Sequence, residues 1–589
     1  MHAFSIRKYL LFSATLLLLI ALTGLAYAQI IFIPFYLDDF SSIIQNPVVQ
    51  LPVDFYQVWT HYKARFITYS AFALQLEFFG NDSTSFHLVG LGLHILVGAG
   101  IFWFVSLTNL PRILAQKSII AIIPTTVFLL HPQNTQAVIY IAQQAVLWTS
   151  LFCMASLCCY MHWRKSKSNQ PAKIIWLGFS ILAACCALFS KQTAASLPLA
   201  ILMIEWLFFG AYTRRLILMG IGCLLLSFVY LAFIQNWQWN TLFFYIDSIS
   251  RETTDIARLD YFANQTVILW HYIAQYFSLS GFRLEYDFKI AESWQIIHWV
   301  ALFAHVAVLI LSVLLKRVSP MITFGVLFYY LTHLIESTFF PIRDIVFEHR
   351  AYLPNVGMSV AIIALVLLLF EMLSLQLSKV PILFKKAVAL TLCAVILLVL
   401  TQATQNRVGQ WADPLVFYKN EITLSPKSPR ATGAYANGLA DSGNCPLAIG
   451  YYNHATALYE LKHKSALGIQ PEMLINYIRC LRTLKVYNKA EKWELFLLEQ
   501  VFEPIRRSMI LGQRGQFYLE QKDFETANKA LTEALSLNDK DYAIVMNLAI
   551  SRVNLGQTEV GRALLNDTLV LKPGDKMAIH LLGLLNSKK

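Results

Sequence analysis

Two adjacent carboxylates, Asp38 and Asp39, stand in the run Phe35-Tyr36-Leu37-Asp38-Asp39-Phe40, directly after a long apolar segment. Carboxylates at a membrane surface are costly to desolvate. One of such a pair can act as general base toward an acceptor hydroxyl, while the other holds the acceptor or binds a cation. The structural alternative is a helix cap, since Asp39 before Phe40-Ser41-Ser42-Ile43 also fits a helix start. Cations recur at three other places: Arg65 in Lys63-Ala64-Arg65-Phe66-Ile67-Thr68, Lys191 after Ser190, and Arg350 in Glu348-His349-Arg350-Ala351-Tyr352-Leu353-Pro354. Arg and Lys hold phosphate through charge-assisted hydrogen bonds. Each alone also fits an interfacial anchor or a snorkelling side chain. His131 in His131-Pro132-Gln133-Asn134, with Glu348, His349 and Tyr352, completes the polar set. His87 and His94, seven apart on one helix face, fit interhelical hydrogen bonding better than metal ligation. The sequence has no Walker loop, no zinc-ligand spacing and no nucleophile elbow.

These residues need a scaffold, and composition says what kind. Of 589 residues, 57% are hydrophobic and 14% charged, against about 25% charged in an ordinary soluble domain. Apolar runs recur from Tyr9 to about Leu400, which identifies lipid as the solvent. A span takes about 20 mostly apolar residues. Segments 9–30, 84–107, 118–131, 136–161, 174–190, 193–212, 215–235, 295–315, 319–334, 351–376 and 385–403 qualify. Segment 262–280 carries Asn264, Gln265, His271, Gln275 and Ser280, and reads as an interfacial or re-entrant helix. The basic residues Arg7/Lys8, Arg112/Lys117, Arg164/Lys165/Lys167/Lys173, Arg214/Arg215, Lys316/Arg317 and Lys379/Lys385/Lys386 fall in loops without acidic residues. The positive-inside rule puts all of them in the cytoplasm. This accounts for the net charge of +12 and excludes nucleic acid as the partner. About eleven spans follow, with the N-terminus cytoplasmic. Segments 31–83, 131–136, 190–193, 236–294, 335–350 and everything after 403 are then outside, and these carry the polar set. The run after Arg7-Lys8 ends in Ala26-Tyr27-Ala28, which resembles a signal-peptidase site. Its length and the apolar residues beyond it favour an uncleaved first span.

After Thr404 the sequence turns polar and periodic. One 34-residue unit runs from about 508 to 541, with Gly515, Tyr518, Ala527, Leu531 and Ala534 in register for a tetratricopeptide repeat (TPR). The next begins at 542, with Ala549, Gly561, Leu565 and Pro573. Asn476, Ile478 and Ala490 fit a divergent unit, and Ala436, Leu439, Ala448, Tyr452 and Ala455 a fourth. The expected plan is all-α: a polytopic transmembrane helix bundle over 1–403, a linker over 404–424 and a TPR α-solenoid over 425–589. Such repeats either cap the membrane unit or hold a polypeptide in a groove. Seven of the nine cysteines lie in apolar segments as small hydrophobes. Cys445 and Cys480 lie in the repeats; separate thiols are the expectation and a disulfide the alternative.

The order of these features resembles the integral-membrane glycosyltransferases of the GT-C class. More closely, it resembles the transmembrane-and-TPR O-mannosyltransferases and their bacterial relatives. The stretches that carry the resemblance are Tyr36-Leu37-Asp38-Asp39, Arg65-Phe66-Ile67-Thr68, Phe86-His87-Leu88-Val89 with His94, Leu130-His131-Pro132, Tyr140-Ile141-Ala142-Gln143, Ser190-Lys191-Gln192-Thr193, Glu348 to Pro354, and Trp411 before the repeats. There are departures. Bacterial relatives often read Arg-Pro at Arg65-Phe66, Gln-Arg at Gln143-Gln144 and Lys-Glu at Lys191-Gln192, and a Glu near the His-Pro turn is here Gln136.

The resemblance implies transfer of a sugar from a polyprenyl-phosphate carrier to a polypeptide, on the periplasmic face of a bacterial inner membrane. Asp38 or Asp39 would be the base of an inverting displacement. Arg65, Lys191 and Arg350 would hold the phosphate, and His131, Glu348, His349 and Tyr352 would be further site residues. The resemblance leaves open whether a divalent ion, Mg or Mn, takes part; if one does, it would rest on Asp38 or Asp39. The repeats would present the protein acceptor. A lipid or envelope-polysaccharide acceptor is the alternative within this chemistry, and a non-catalytic scaffold for envelope assembly is the alternative outside it.

Overall fold

The computed structural model describes residues 17–108, 117–167, 172–210, 213–234, 252–342, 344–377, 379–463, 471–501 and 504–587. Arg7, Lys8, Arg112, the start of the expected first span and residues 236–251 of the expected region 236–294 lie outside them. Every regular element among the described residues is a helix. The chain divides into two compact units, 1–417 and 418–589.

The first unit is built from apolar helices. Among the described residues six are long and apolar enough to cross a membrane: Ser83–Leu107, Ile141–Lys165, Ile217–Ile234, Ile296–Arg317, Glu348–Gln376 and Leu383–Gln410. Shorter apolar helices cover Leu17–Ala26, Ile120–Leu129, Lys173–Leu188 and Gln192–Phe208. Their outward faces carry bare hydrocarbon, with Ile174, Leu390 and Leu398 each at least 70% exposed. In water that would be an aggregation surface; in lipid it is the solvated face. The chain is a multi-pass membrane protein.

Three local features position the polar set. Asp54 and Asp82 cap the Phe55–Tyr62 and Ser83–Leu107 helices, each accepting two first-turn amides. The Pro320–His333 helix crosses Tyr352–Gln376 at two glycines. A Cβ on Gly325 would lie 2.4 Å from the Gly357 carbonyl oxygen, so only hydrogen fits, as is usual where membrane helices approach closely. That crossing fixes the two ends of loop 334–351. The Arg258–Ser278 helix is not among those apolar enough to span. Its buried amides instead bind loop backbone: Asn264 exchanges hydrogen bonds with Ala291 at 2.9 Å, and Gln265 donates to the Ile345 carbonyl at 3.0 Å.

In the second unit consecutive antiparallel helices run Pro429–Asp441, Cys445–His463, Pro471–Thr483, Tyr487–Gln500, Pro504–Glu520, Phe524–Leu537, Tyr542–Asn554, Thr558–Leu571 and Lys576–Ser587. The alanines expected at close approaches, 436, 448, 455, 490, 527, 534 and 549, are all buried. A Cβ on Gly515 would sit 2.2 Å from Leu531 Cγ, so the small residue is required there. The segment 404–424 is largely helical: Ile382–Gln410 runs through its first part and Pro414–Leu424 through its second. Cys445 and Cys480 form a disulfide with their Cα atoms 5.1 Å apart, against the expectation of separate thiols. The signal was hidden because the two are 35 residues apart and meet only once neighbouring repeats stack.

Candidate active site

The acidic pair sits on a tight turn. Leu37 has φ of +35°, a backbone state that costs a side-chain-bearing residue about 1–3 kcal/mol. The turn is held by the Asp39 amide donating to the Tyr36 carbonyl at 2.8 Å. It divides the two carboxylates between two environments. Asp39 is 1% exposed. Its Oδ1 accepts from the Ala142 amide at 2.6 Å and its Oδ2 from the Tyr36 amide at 2.9 Å. Burial pushes the Asp39 carboxyl up to about 8, and the charge of Asp38 adds to this, while the amides of Tyr36 and Ala142 pull the other way. Asp38 is half-buried. Its amide donates to the hydroxyl of the buried Tyr140 at 2.9 Å. Tyr36 anchors the turn from below, its hydroxyl donating to the Trp411 carbonyl and its ring packing edge-on to Trp411. Phe40–Ile44 does continue as a short helix, but the Asp39 side chain caps none of its amides.

The cations meet in a narrow cleft lined by Val146, Thr149, Ser150, Lys191, Thr193, Thr332, Glu336, His349, Arg350, Leu353 and Pro354. Lys191 is buried and pairs with Glu336 at 2.7 Å. Two of the five donors on the Arg350 guanidinium go to the carbonyls of Asp344 and Ile345. Arg65 is exposed beside them, its Nε donating to Gln192 Oε1 at 3.5 Å. Its segment is fixed to the Lys191 turn by two bonds: the Ile67 amide to the Phe189 carbonyl at 3.0 Å and the Thr68 hydroxyl to the Ser190 carbonyl at 2.9 Å. The cleft and the acidic turn share one element. Tyr140 and Ala142 hold the acids, and the Gln144–Lys165 helix that starts two residues later lines the cleft with its first turns.

The remaining expected residues separate. His349 lines the cleft, its amide and Nδ1 both against Gln136 Oε1 at 2.7 and 3.1 Å. The other three sit in bonding networks of their own. Glu348 accepts from the Arg283 amide and from the Tyr286 hydroxyl at 2.8 Å, and pairs with Arg407 at 3.5 Å. His131 stacks on Tyr276 at 3.8 Å and bonds its carbonyl at 3.0 Å. The Tyr352 hydroxyl bonds His94 Nδ1 at 2.7 Å. Glu336 is the residue that sequence reasoning missed. It is polar, in loop 335–350, and close in sequence to Glu348 and Arg350, which was the available signal. Among the described residues no group of three His, Cys, Asp or Glu side chains converges as a metal cluster. Each Asp39 oxygen accepts one backbone amide, and Asp38 is the more exposed of the two carboxylates.

Fold and site together define a multi-pass helical membrane protein with a helical-repeat unit, a carboxylate pair and a cationic cleft. The chain is similar over 450 residues, 73% of its length, to the protein O-mannosyl-transferase F38B6.6 of Caenorhabditis elegans, at 23% identity and over 60% of that protein. It is similar over 125 residues, 21% of its length, to the protein O-mannosyl-transferase tmtc2 of Xenopus laevis, at 33% identity and over 14% of that protein. The chain thus spans less than two thirds of the length of these curated relatives. No family model matches it.

Proposed function

We propose that this chain is an integral-membrane glycosyltransferase that moves a sugar from a polyprenyl-phosphate carrier to a hydroxyl on a protein. One observation carries the reading: a carboxylate pair and a buried cationic cleft lie at the two ends of a single short stretch, Tyr140 to Ser150. The similarity to two protein O-mannosyl-transferases supports the same chemistry.

Asp38 is the base. It is the carboxylate open to an acceptor, whereas Asp39 is buried and bonded to the backbone at both oxygens. Asp38 takes the acceptor's proton as its oxygen attacks the anomeric carbon. The bond from that carbon to the phosphate oxygen breaks, and the carrier phosphate leaves with the electron pair. The anomeric carbon inverts. Lys191 and Arg350, with Arg65 beside them, hold the charge that grows on the leaving phosphate. Asp39 positions the turn.

The reaction belongs on the periplasmic face of a bacterial inner membrane. The Cys445–Cys480 disulfide supports an oxidising compartment for the repeats, on the side opposite the Lys- and Arg-rich loops. The repeats would present the protein acceptor there.

The test is transfer in cells carrying wild type or Asp38→Asn at matched membrane levels, read as a hexose-sized or larger mass shift on envelope proteins. A loss of about 10²- to 10⁴-fold is expected. Protein adducts that persist undiminished in the variant would remove the protein-glycosylation reading.

A further inference from the structure

The Lys191 ammonium already has an anion. Glu336 Oε1 lies 2.7 Å from its Nζ, inside the same cleft that Arg350 lines and Arg65 flanks. Burial alone would raise the Glu336 carboxyl, but Lys191 and Arg350 outweigh it and hold Glu336 below the ordinary carboxylate range. It therefore stays charged. The residue sits in a turn just past the Pro320–His333 helix. Its backbone is fixed, with the carbonyl accepting from the Tyr261 hydroxyl at 2.8 Å and the next amide bonding back to His333 at 2.9 Å. Its side chain pairs with Lys191, and the two backbone bonds do not fix its χ angles. A carboxylate and a phosphate oxygen compete for the same ammonium donors.

We infer that Glu336 is a resident counter-ion that takes the phosphate position when no donor is bound, and that the incoming carrier phosphate displaces it from Lys191. This rests on the proposed role of Lys191 and Arg350 as phosphate ligands. Buried like charges without a partner are strongly unfavourable, and Glu336 meets that need between turnovers. When the sugar has gone, it returns to Lys191 and competes the spent polyprenyl phosphate out. Glu336 thus sets both the affinity for the donor and the rate of product departure.

The experiment is titration calorimetry of geranyl phosphate into the full chain in detergent, for wild type, Glu336→Gln, Lys191→Gln and the double variant. Glu336→Gln should bind about 5- to 10-fold tighter than wild type, a change of about 1–1.4 kcal/mol. The gain should vanish in the Lys191→Gln background. Inorganic phosphate should show the same ratio at weaker absolute affinity; a gain confined to the prenylated ligand would tie the effect to the lipid tail and overturn the inference. In turnover, KM for the donor and kcat should fall together, which a merely structural glutamate would not produce. If Lys191→Gln weakens binding while Glu336→Gln does not strengthen it, the counter-ion role is wrong and the phosphate site stands. If Lys191→Gln leaves binding unchanged, the phosphate site itself is wrong. Should Glu336→Gln fail to assemble, Glu336→Asp keeps the charge on a shorter arm and must give a smaller gain of the same sign; no gain there overturns the inference.

Discussion

The Asp39 carboxylate accepts the Ala142 amide at 2.6 Å across 103 residues of sequence. That bond joins the acidic turn to the stretch that opens the cleft-lining helix. It also gives two neighbouring carboxylates different surroundings, Asp39 buried and Asp38 half-buried. Asp39 is held on backbone amides at both oxygens, and in the proposed function Asp38 is the one that meets an acceptor.

Asp39→Asn should therefore act through structure. An amide side chain at 39 turns one of its polar atoms into a donor facing a backbone donor, at a cost of about 1–3 kcal/mol. The variant should lower the melting temperature of the detergent-solubilised chain, whereas Asp38→Asn should leave it near wild type. Equal destabilisation by the two would contradict the division of roles.

The same site gives a pH signature. The folded carboxyl is raised to about 8 against an ordinary 3.8. Between those values the folded chain holds a proton that the unfolded chain releases. The contribution of Asp39 to stability is thus greatest at low pH, falls as pH rises through that interval and is level beyond it. Apparent melting of wild type and Asp39→Asn, followed from about pH 5 to about pH 8, should converge as pH rises if this sign is right.

Lys191 and Arg65 should differ in weight. Lys191 is buried beside Arg350, and Arg65 is exposed. Removing a preorganised donor to developing charge costs about 10²- to 10³-fold in kcat, the loss expected for Lys191→Gln. Arg65→Gln, screened by solvent, should cost about 10-fold or less. Initial rates with a purified lipid-linked donor separate the two.

The repeat unit should depend on its disulfide. Reduction, or Cys445→Ser with Cys480→Ser, should lower its stability by about 2–4 kcal/mol. Limited proteolysis of the full chain, with and without reductant, would show cleavage within 418–589 appear first when the bond is open. Free thiols at both positions in protein isolated without reductant would argue against an oxidising compartment.

What was legible in the sequence follows the range of each interaction. Spans and repeats are periodic patterns written within 20 to 34 residues, and a linear reading finds them. The acidic pair was legible because its two members are adjacent. Arg65, Lys191 and Arg350 could be named one by one, but their convergence could not, because it depends on backbone bonds such as Thr68 to Ser190, 122 residues apart. Glu336 was passed over for the same reason: its importance lies in Lys191, a residue in another loop. The polar Arg258–Ser278 helix was set apart by its amides, yet what they bind is loop backbone with no sequence pattern of its own, at Ala291 and, 80 residues from Gln265, at Ile345.

The contact of Gly325 with Gly357 has a consequence for time. Two helices whose backbones touch have no slack to part without losing that contact, and loop 334–351 hangs between their ends. The mouth of the cleft therefore keeps a fixed frame. On the inference drawn above, the part that yields is the paired Glu336 side chain, rather than a helix whose displacement would take microseconds to milliseconds. Under the proposed function, admission of the donor would then be a latch and not a door.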